Sequence, residues 1–357
     1  MRREVIVSQI HGFEPPIDRP AIELFDLLVE PLMVQFKDRT ARLDRTHPQF
    51  AALAEILDDL HGTRLPVYAE IDADDRMIDN VLVPVEGKVM DLVTHPSGDV
   101  TFRLDAAAKP FQLSAARIKT SWWDALDQSQ RKRTPVLVTE REDIPEIVDI
   151  RPMEVSPGPA AAPVPTARRE AARPAAQPVT EQRARALFGM LHARSCRPEH
   201  PTAPCIPFLY VRDGCHARCH EMCRLIKEAG EQPGKVWNYS NLLVVKSVNE
   251  PGCEATWKVH VAPTLEVEIA DGTGVQMMVI DPSLFSHPVP VAEWQQVQGD
   301  PESILLFTSA EPFLPPVPGD VEDDPENNRT KTELARYRNK FKRRVAKEGP
   351  PPYRCPH

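Results

Sequence analysis

The richest cluster of reactive side chains lies in the run DGCHARCHEMCRLIKEAG, where three cysteines and two histidines fall between Cys215 and Cys223. The run reads as a loop and then a helix that opens at Cys215 and stops at Gly230, with Asp213 or Gly214 as its cap. A thiol in the first turn of a helix faces unpaired backbone N–H groups and the positive end of the dipole, and both favour thiolate over thiol. The same N–H groups can hold an oxyanion. One helix start thus offers a nucleophile together with the electrophilic support that acyl transfer needs.

Cys219, Met222, Cys223 and Ile226 share the helical stripe of Cys215, which marks Cys219 and Cys223 as core thiols. A metal site is the competing reading of Cys215, His216, Cys219, His220 and Cys223. A closed zinc site normally draws its ligands from two separated pairs, and one straight helix cannot wrap an ion, so no metal and no cofactor is expected. His216 and His220 either line a cleft or satisfy buried hydrogen bonds, the structural role carrying more weight. Gly214, His216 and Trp257 are the candidates for lining the cleft or supporting an oxyanion.

A base for the thiol is sought downstream. TWKVHVAP alternates Trp257, Val259 and Val261 on one face of a strand with Lys258 and His260 on the other, so His260 is expected to project away from the apolar layer. LEVEIA and VQMMVID follow, joined by the hairpin signal ADGTG, and the latter strand ends at Asp281 before Pro282. An aspartate there can fix the imidazole tautomer and stabilise the imidazolium. Spacing alone leaves the plain alternative open: Cys215 as a loop thiol, His260 as a solvent-facing strand residue and Asp281 as a turn former before proline.

The chain around these residues has 357 positions, 41% of them hydrophobic, enough for packed cores in two or three domains. A net charge of -9 argues against a phosphate-backbone binder, so nucleic acid is not expected as a partner. No signal-peptide-like apolar run opens the sequence and no membrane-spanning run follows, so membrane association is not expected. The expected place of synthesis is the cytoplasm, with export by a signal-independent route left open. Seven cysteines, an odd number clustered mainly from Cys196 to Cys253, favour reduced thiols over a disulfide framework.

Proline, at 38 residues, marks the domain boundary. SPGPAAAPVPTARREAARPAAQP has almost no large apolar residues and reads as a mobile spacer, giving a linker over 151–180. Residues 1–150 read as a small α+β accessory domain, with helices near 21–33 and 48–61, strands at PVYAEID and NVLVPVEG, and a hairpin of KVMDLV and DVTFRLD around THPSGD. After the linker, Thr180 can cap a helix through EQRARALFGMLHAR. Residues 181–318 form the expected catalytic domain and 319–357 a charged tail: an acidic stretch, VEDDPENN, a basic helix with a solvated face, KTELARYRNKFKRRVAK, and a disordered end, EGPPPYRCPH.

Across about residues 183–295, the runs ALFGML, IPFLYVRDGCHARCHEM, KVWNYSNL, WKVHVAP and MVIDPSLFSHPV, with Trp294, occur in an order that resembles the bacterial protein-glutamine glutaminases. The resemblance implies an α+β fold with a C-terminal transglutaminase/papain-like cysteine hydrolase domain behind the accessory domain and linker. It implies a Cys-His-Asp triad of Cys215, His260 and Asp281, acting on exposed glutamine in a protein or peptide and giving glutamate and ammonia through a thioester. Transglutaminase-like or peptide amide acyl transfer by the same triad is the alternative, and a non-catalytic binding or adaptor module is another. The chain departs from the family in three ways: it shows no export signal, its first 150 residues find no match, and Cys219 stands where a small alanine-like residue is expected. The first domain is expected to choose a protein partner or to shield the site, and nothing in the sequence indicates an oligomeric state.

Overall fold

A computed structural model describes residues 3–18, 30–141, 146–153, 177–198, 204–247, 254–269, 274–315 and 322–353. Its N-terminal half carries strands β1 (Arg3–Ser8), β2 (Ile10–Glu14), β3 (Leu32–Phe36) and β4 (Thr40–Leu43), helix α1 (Phe50–Gly62), then β5 (Val67–Asp72) and β6 (Ile78–Leu82). The antiparallel sheets β1-β5-β6 and β2-β3-β4 share one apolar core with α1, which buries Phe50, Leu53, Ile56, Leu57 and Leu60 at helical spacing.

Next come β7 (Val85–Gly87), β8 (Val89–Thr94), β9 (Val100–Leu104), β10 (Phe111–Leu113), helix α2 (Thr120–Lys132), β11 (Val136–Arg141) and β12 (Glu146–Pro152). They form the antiparallel sheets β8-β9-β10 and β7-β11-β12, and Trp122, Ala125 and Leu126 of α2 lie in the core they share.

In the C-terminal half, helices α3 (Glu181–His192) and α4 (Cys215–Glu228) pack on a five-stranded antiparallel sheet. Its order is β16 (Val289–Pro290), β15 (Val275–Val279), β14 (Ala255–Glu268), β13 (Gly234–Val245) and β17 (Ile304–Ser309). The short helix α5 (Val291–Gln296) follows β16, and α6 (Asn328–Glu348) ends the fold. Thr180 caps α3 by accepting from the Arg183 amide at 3.2 Å. The architecture is mixed α and β, and among the described residues no helix is long and apolar enough to cross a membrane.

Several expectations change. Leu32–Phe36 is a strand, not the end of a helix over 21–33; its alternately buried residues face the core, while residues 21–29 lie outside the described residues. Helix α2 was not anticipated, because its sequence TSWWDALDQSQRK has only a narrow apolar stripe. Cys196 and Cys205 form a disulfide, so the reading of all thiols as reduced is wrong for this pair; nine residues apart in sequence, they are brought together by the bridging of Ser195 to Ile206. The basic tail helix is not a solvated face, since every residue from Glu333 to Arg344 is buried. Its acidic approach is ordered: Asp324 accepts from the Thr330 amide and hydroxyl, each at 2.7 Å. The end of the chain is ordered at least to Tyr353, whose buried ring lies 3.7 Å from the Arg344 guanidinium. Residues 154–176 of the expected linker and 270–273 of the expected hairpin turn lie outside the described residues.

Candidate active site

Helix α4 starts at Cys215 because Gly214, at φ +81°, supplies a left-handed turn that a side chain resists. A second constraint acts from across the molecule: a Cβ on Gly214 would lie 2.5 Å from the ring of Tyr337 in α6. The Asp213 carboxylate accepts the Gly214 amide at 2.7 Å. That N–H is therefore committed to Asp213 and is not a free oxyanion donor. Arg218, one turn into the helix and buried, donates to the carbonyls of Tyr210 at 3.0 Å and Asp213 at 2.6 Å, fixing the loop before the thiol.

Cys215 is 4% exposed, and its Sγ lies 4.0 Å from the carbonyl oxygen of Val259, the residue before His260. Burial pushes the thiol up to about 12, against the opposing pull of the Arg218 guanidinium. In this state the sulfur is a thiol at neutral pH, whatever the helix dipole favours.

His260 does not look away from the apolar layer as its strand position suggests. Its ring stacks on Trp257 at 4.4 Å between centroids and on Trp294 of α5 at 5.4 Å, leaving it 1% exposed. Nε2 lies 2.8 Å from Asp281 Oδ2, while Nδ1 is buried without a hydrogen-bond partner. The same Asp281 oxygen accepts the Trp294 indole N–H at 3.0 Å, and the other accepts the Ser283 amide at 3.0 Å. Burial alone would raise the Asp281 carboxyl. The adjacent imidazole, the indole and Arg218 outweigh it and hold the group below its ordinary value.

Of the other candidates, Trp257 lies against His260 and anchors its indole on the Arg212 carbonyl at 3.2 Å. His216 is packed edge-on to Phe313 and Tyr337, and burial lowers its pKa to about 3, as for a neutral core histidine. His220 is likewise internal, beside Lys235 Nζ at 3.0 Å. Cys219 and Cys223 are buried on the core side of α4, in the same apolar cluster as Cys215.

The N-terminal half reaches into this site through the loop after β9. The Ala108 amide donates to Asp213 Oδ1 at 2.9 Å, and the Ala108 carbonyl accepts from the Lys258 amide at 3.0 Å. Ala108 itself belongs to the apolar cluster around Cys215, and Lys109 is held by an ion pair to Glu140. A cavity of about 560 Å³ opens beside Val259 between the halves, with Arg103 and Arg133 on one wall and Tyr239, Lys258 and Asp300 on the other. Sequence reasoning missed Arg218 and Ala108. A lone arginine in a helix and an alanine in DAAAKP carry no signal, since the partners of each are assembled from distant segments.

Residues 184–298 match a sequence family described as Glutaminase. The crystal structure of a pro-protein-glutaminase is similar over 70% of this chain and 90% of its own, with a TM-score of 0.52 and 19% identity. A mutant of pro-protein-glutaminase is similar over 70% and 91%, at 0.53 and 20%. The solution structure of protein-glutaminase from Chryseobacterium proteolyticum aligns over 43% of this chain and 84% of its own, with a TM-score of 0.39 and 25% identity. No protein of curated function matches the chain. Residues 184–298 thus match the glutaminase family in sequence, and the fold is similar to that of the pro-protein-glutaminases.

Proposed function

We propose that this enzyme hydrolyses the side-chain amide of glutamine in a protein or peptide to glutamate and ammonia, with Cys215 as nucleophile, His260 as base and Asp281 as the group that orients the base. The observation that carries this reading is the imidazole of His260. One nitrogen is held 2.8 Å from a buried carboxylate and the other is left without a partner, in the strand whose neighbouring carbonyl faces the Cys215 sulfur. An imidazole tied at Nε2 has Nδ1 available to take a proton. Thiolate attack on the carboxamide carbon gives a tetrahedral oxyanion, which the N–H groups opening α4 can receive. The C–N bond breaks as ammonia leaves with the proton from His260. Water, deprotonated by the same nitrogen, then cleaves the thioester and restores the thiol. We assign the C-terminal half to the transglutaminase/papain-like architecture on the same grounds: a nucleophile at a helix start and its base on an adjoining antiparallel strand.

In the same reading the N-terminal half shields the site. Ala108 is bonded on one side to the turn before the nucleophile and on the other to the strand of the base, and the thiol beneath is desolvated. The two solved structures similar over 70% of this chain are pro-forms, in keeping with such a cover.

Ammonia release from a glutamine peptide, followed with mass analysis of the peptide, tests the proposal. The opened enzyme is expected to convert amide to acid, and Cys215→Ala to abolish it. A peptide recovered as an amine adduct would assign the thioester to transglutamination, and full activity in Cys215→Ala would sink the thiol mechanism.

A further inference from the structure

Helix α6 stands between the two halves of the chain. From Glu333 to Arg344 it is buried on all sides, although Arg336, Arg338, Lys340, Lys342, Arg343 and Arg344 fall within that stretch. Buried cations persist only where acceptors surround them, so the walls of the helix are part of its stability.

One wall is the C-terminal half. Leu334 joins the core that contains α3 and α4, Tyr337 packs on Tyr210 and against Gly214, and Arg338 donates to the Cys205 carbonyl at 3.4 Å. The other wall is the N-terminal half, and its contacts are polar. Arg336 donates to the Pro84 carbonyl, and Arg343 to the Val81 carbonyl and to Asn80 Oδ1, in and beside β6. Lys342 pairs with Asp59 at 3.2 Å and Glu55 at 3.7 Å on α1, and Gln49, just before that helix, donates to the Ala346 carbonyl at 3.0 Å. An apolar face therefore ties α6 to the catalytic side, while its basic face grips carbonyls and carboxylates of the cover.

We infer that α6 is a clasp that binds the N-terminal half without a covalent link, so that cutting the chain within residues 154–176 leaves the site closed until α6 lets go. The inference rests on the reading of Ala108 as part of a cover. A cut removes the effective concentration supplied by the connecting chain, and the α6 contacts together with the Ala108 bonds must then hold the halves together. Because the clasp lies C-terminal to the cut, it stays with the catalytic fragment, and the separated N-terminal half is its partner.

The full chain with a protease recognition sequence inserted within 154–176 provides the test. After cutting, the two fragments are expected to elute together, with Cys215 alkylated by iodoacetamide at the rate of the uncut chain. Arg336→Gln with Arg343→Gln, cut in the same way, is expected to separate and to expose Cys215 at least about tenfold more, as the loss of two charge-assisted bonds implies. Asp59→Lys, a half-exposed change that spares the folded core, is expected to shorten the lifetime of the cut complex, and Asp59→Lys with Lys342→Asp to restore it. Cut parent fragments that part by themselves, or an Asp59→Lys complex as long-lived as the parent, would overturn the clasp. Elution and alkylation are read without substrate, so an opened protein that fails to release ammonia counts against the deamidase reading and leaves the clasp standing.

Discussion

Asp281 receives three donors, from His260, Trp294 and the Ser283 amide, and each favours its charged form. The Asp281→Asn variant keeps the shape but presents an NH₂ group to Nε2 or loses the acceptor, so the imidazole protonates on Nδ1 and cannot take the thiol proton. The kcat of the opened enzyme is expected to fall on the order of 10³ to 10⁴-fold, with far smaller change in KM. The charged carboxylate also links the fold to pH. A folded-state pKa below the unfolded value means that stability is fully present above the ordinary carboxylate range and is lost as pH falls through the depressed value. Asp281→Asn should flatten that acid limb in thermal unfolding measured against pH, and an unchanged limb would show that other carboxylates carry it. At this scale the sequence was informative about placement: Cys215 after a glycine at a helix start, His260 inside a strand and Asp281 before a proline stand where their local patterns put them. It was silent on Arg218, whose acceptors at Tyr210 and Asp213 exist only once the loop has closed on the helix.

The start of α4 is an element set by two others. Gly214 is needed both for its left-handed backbone and because Tyr337 of α6 occupies the space beside it. Gly214→Ala costs about 1–2 kcal/mol from the backbone alone, and displacement of a buried tyrosine ring adds to that. The variant is expected to lose stability in denaturant titration and, in its folded fraction, to lose kcat, because the turn aims Cys215. A variant with full kcat and parental stability would mean that the ring moves aside freely. Helices α1, α3 and α4 were readable from apolar spacing and caps. Helix α6 was misread as solvated for a physical reason: amphipathic patterns register burial against apolar surfaces, and this helix buries its cations against backbone carbonyls, which no side-chain pattern records. The Cys196–Cys205 bridge escaped in the same way, since its closeness depends on the path of the chain between α3 and Ile206.

Across the whole molecule, the chemistry of Cys215 depends on a residue more than a hundred positions away. Ala108 bonds Asp213 with its amide and Lys258 with its carbonyl, the contact by which the proposed cover sits over the site, and the buried Cys215 sulfur has its pKa pushed up to about 12. The composition suggests a boundary at the proline-rich stretch, whose residues 154–176 lie outside the described residues. The fit between the two halves was not legible, because contacts between distant surfaces leave no local trace in a sequence. Ala108→Pro tests the cover at one bond: proline keeps the carbonyl but lacks the N–H that reaches Asp213. Loss of one hydrogen bond to a buried carboxylate, worth about 1.5–3 kcal/mol, shifts the closed state toward open by roughly tenfold or more. Opening hydrates the sulfur, which lowers its pKa and raises the thiolate fraction at neutral pH. Alkylation of the uncut parent is therefore expected to be slow at neutral pH and to keep climbing with pH, whereas Ala108→Pro should react faster at every pH and level off earlier. Identical profiles for the two proteins would mean that the Ala108 amide does not hold the cover down, and closure would then rest on α6 and on the Ala108 carbonyl that accepts from the Lys258 amide.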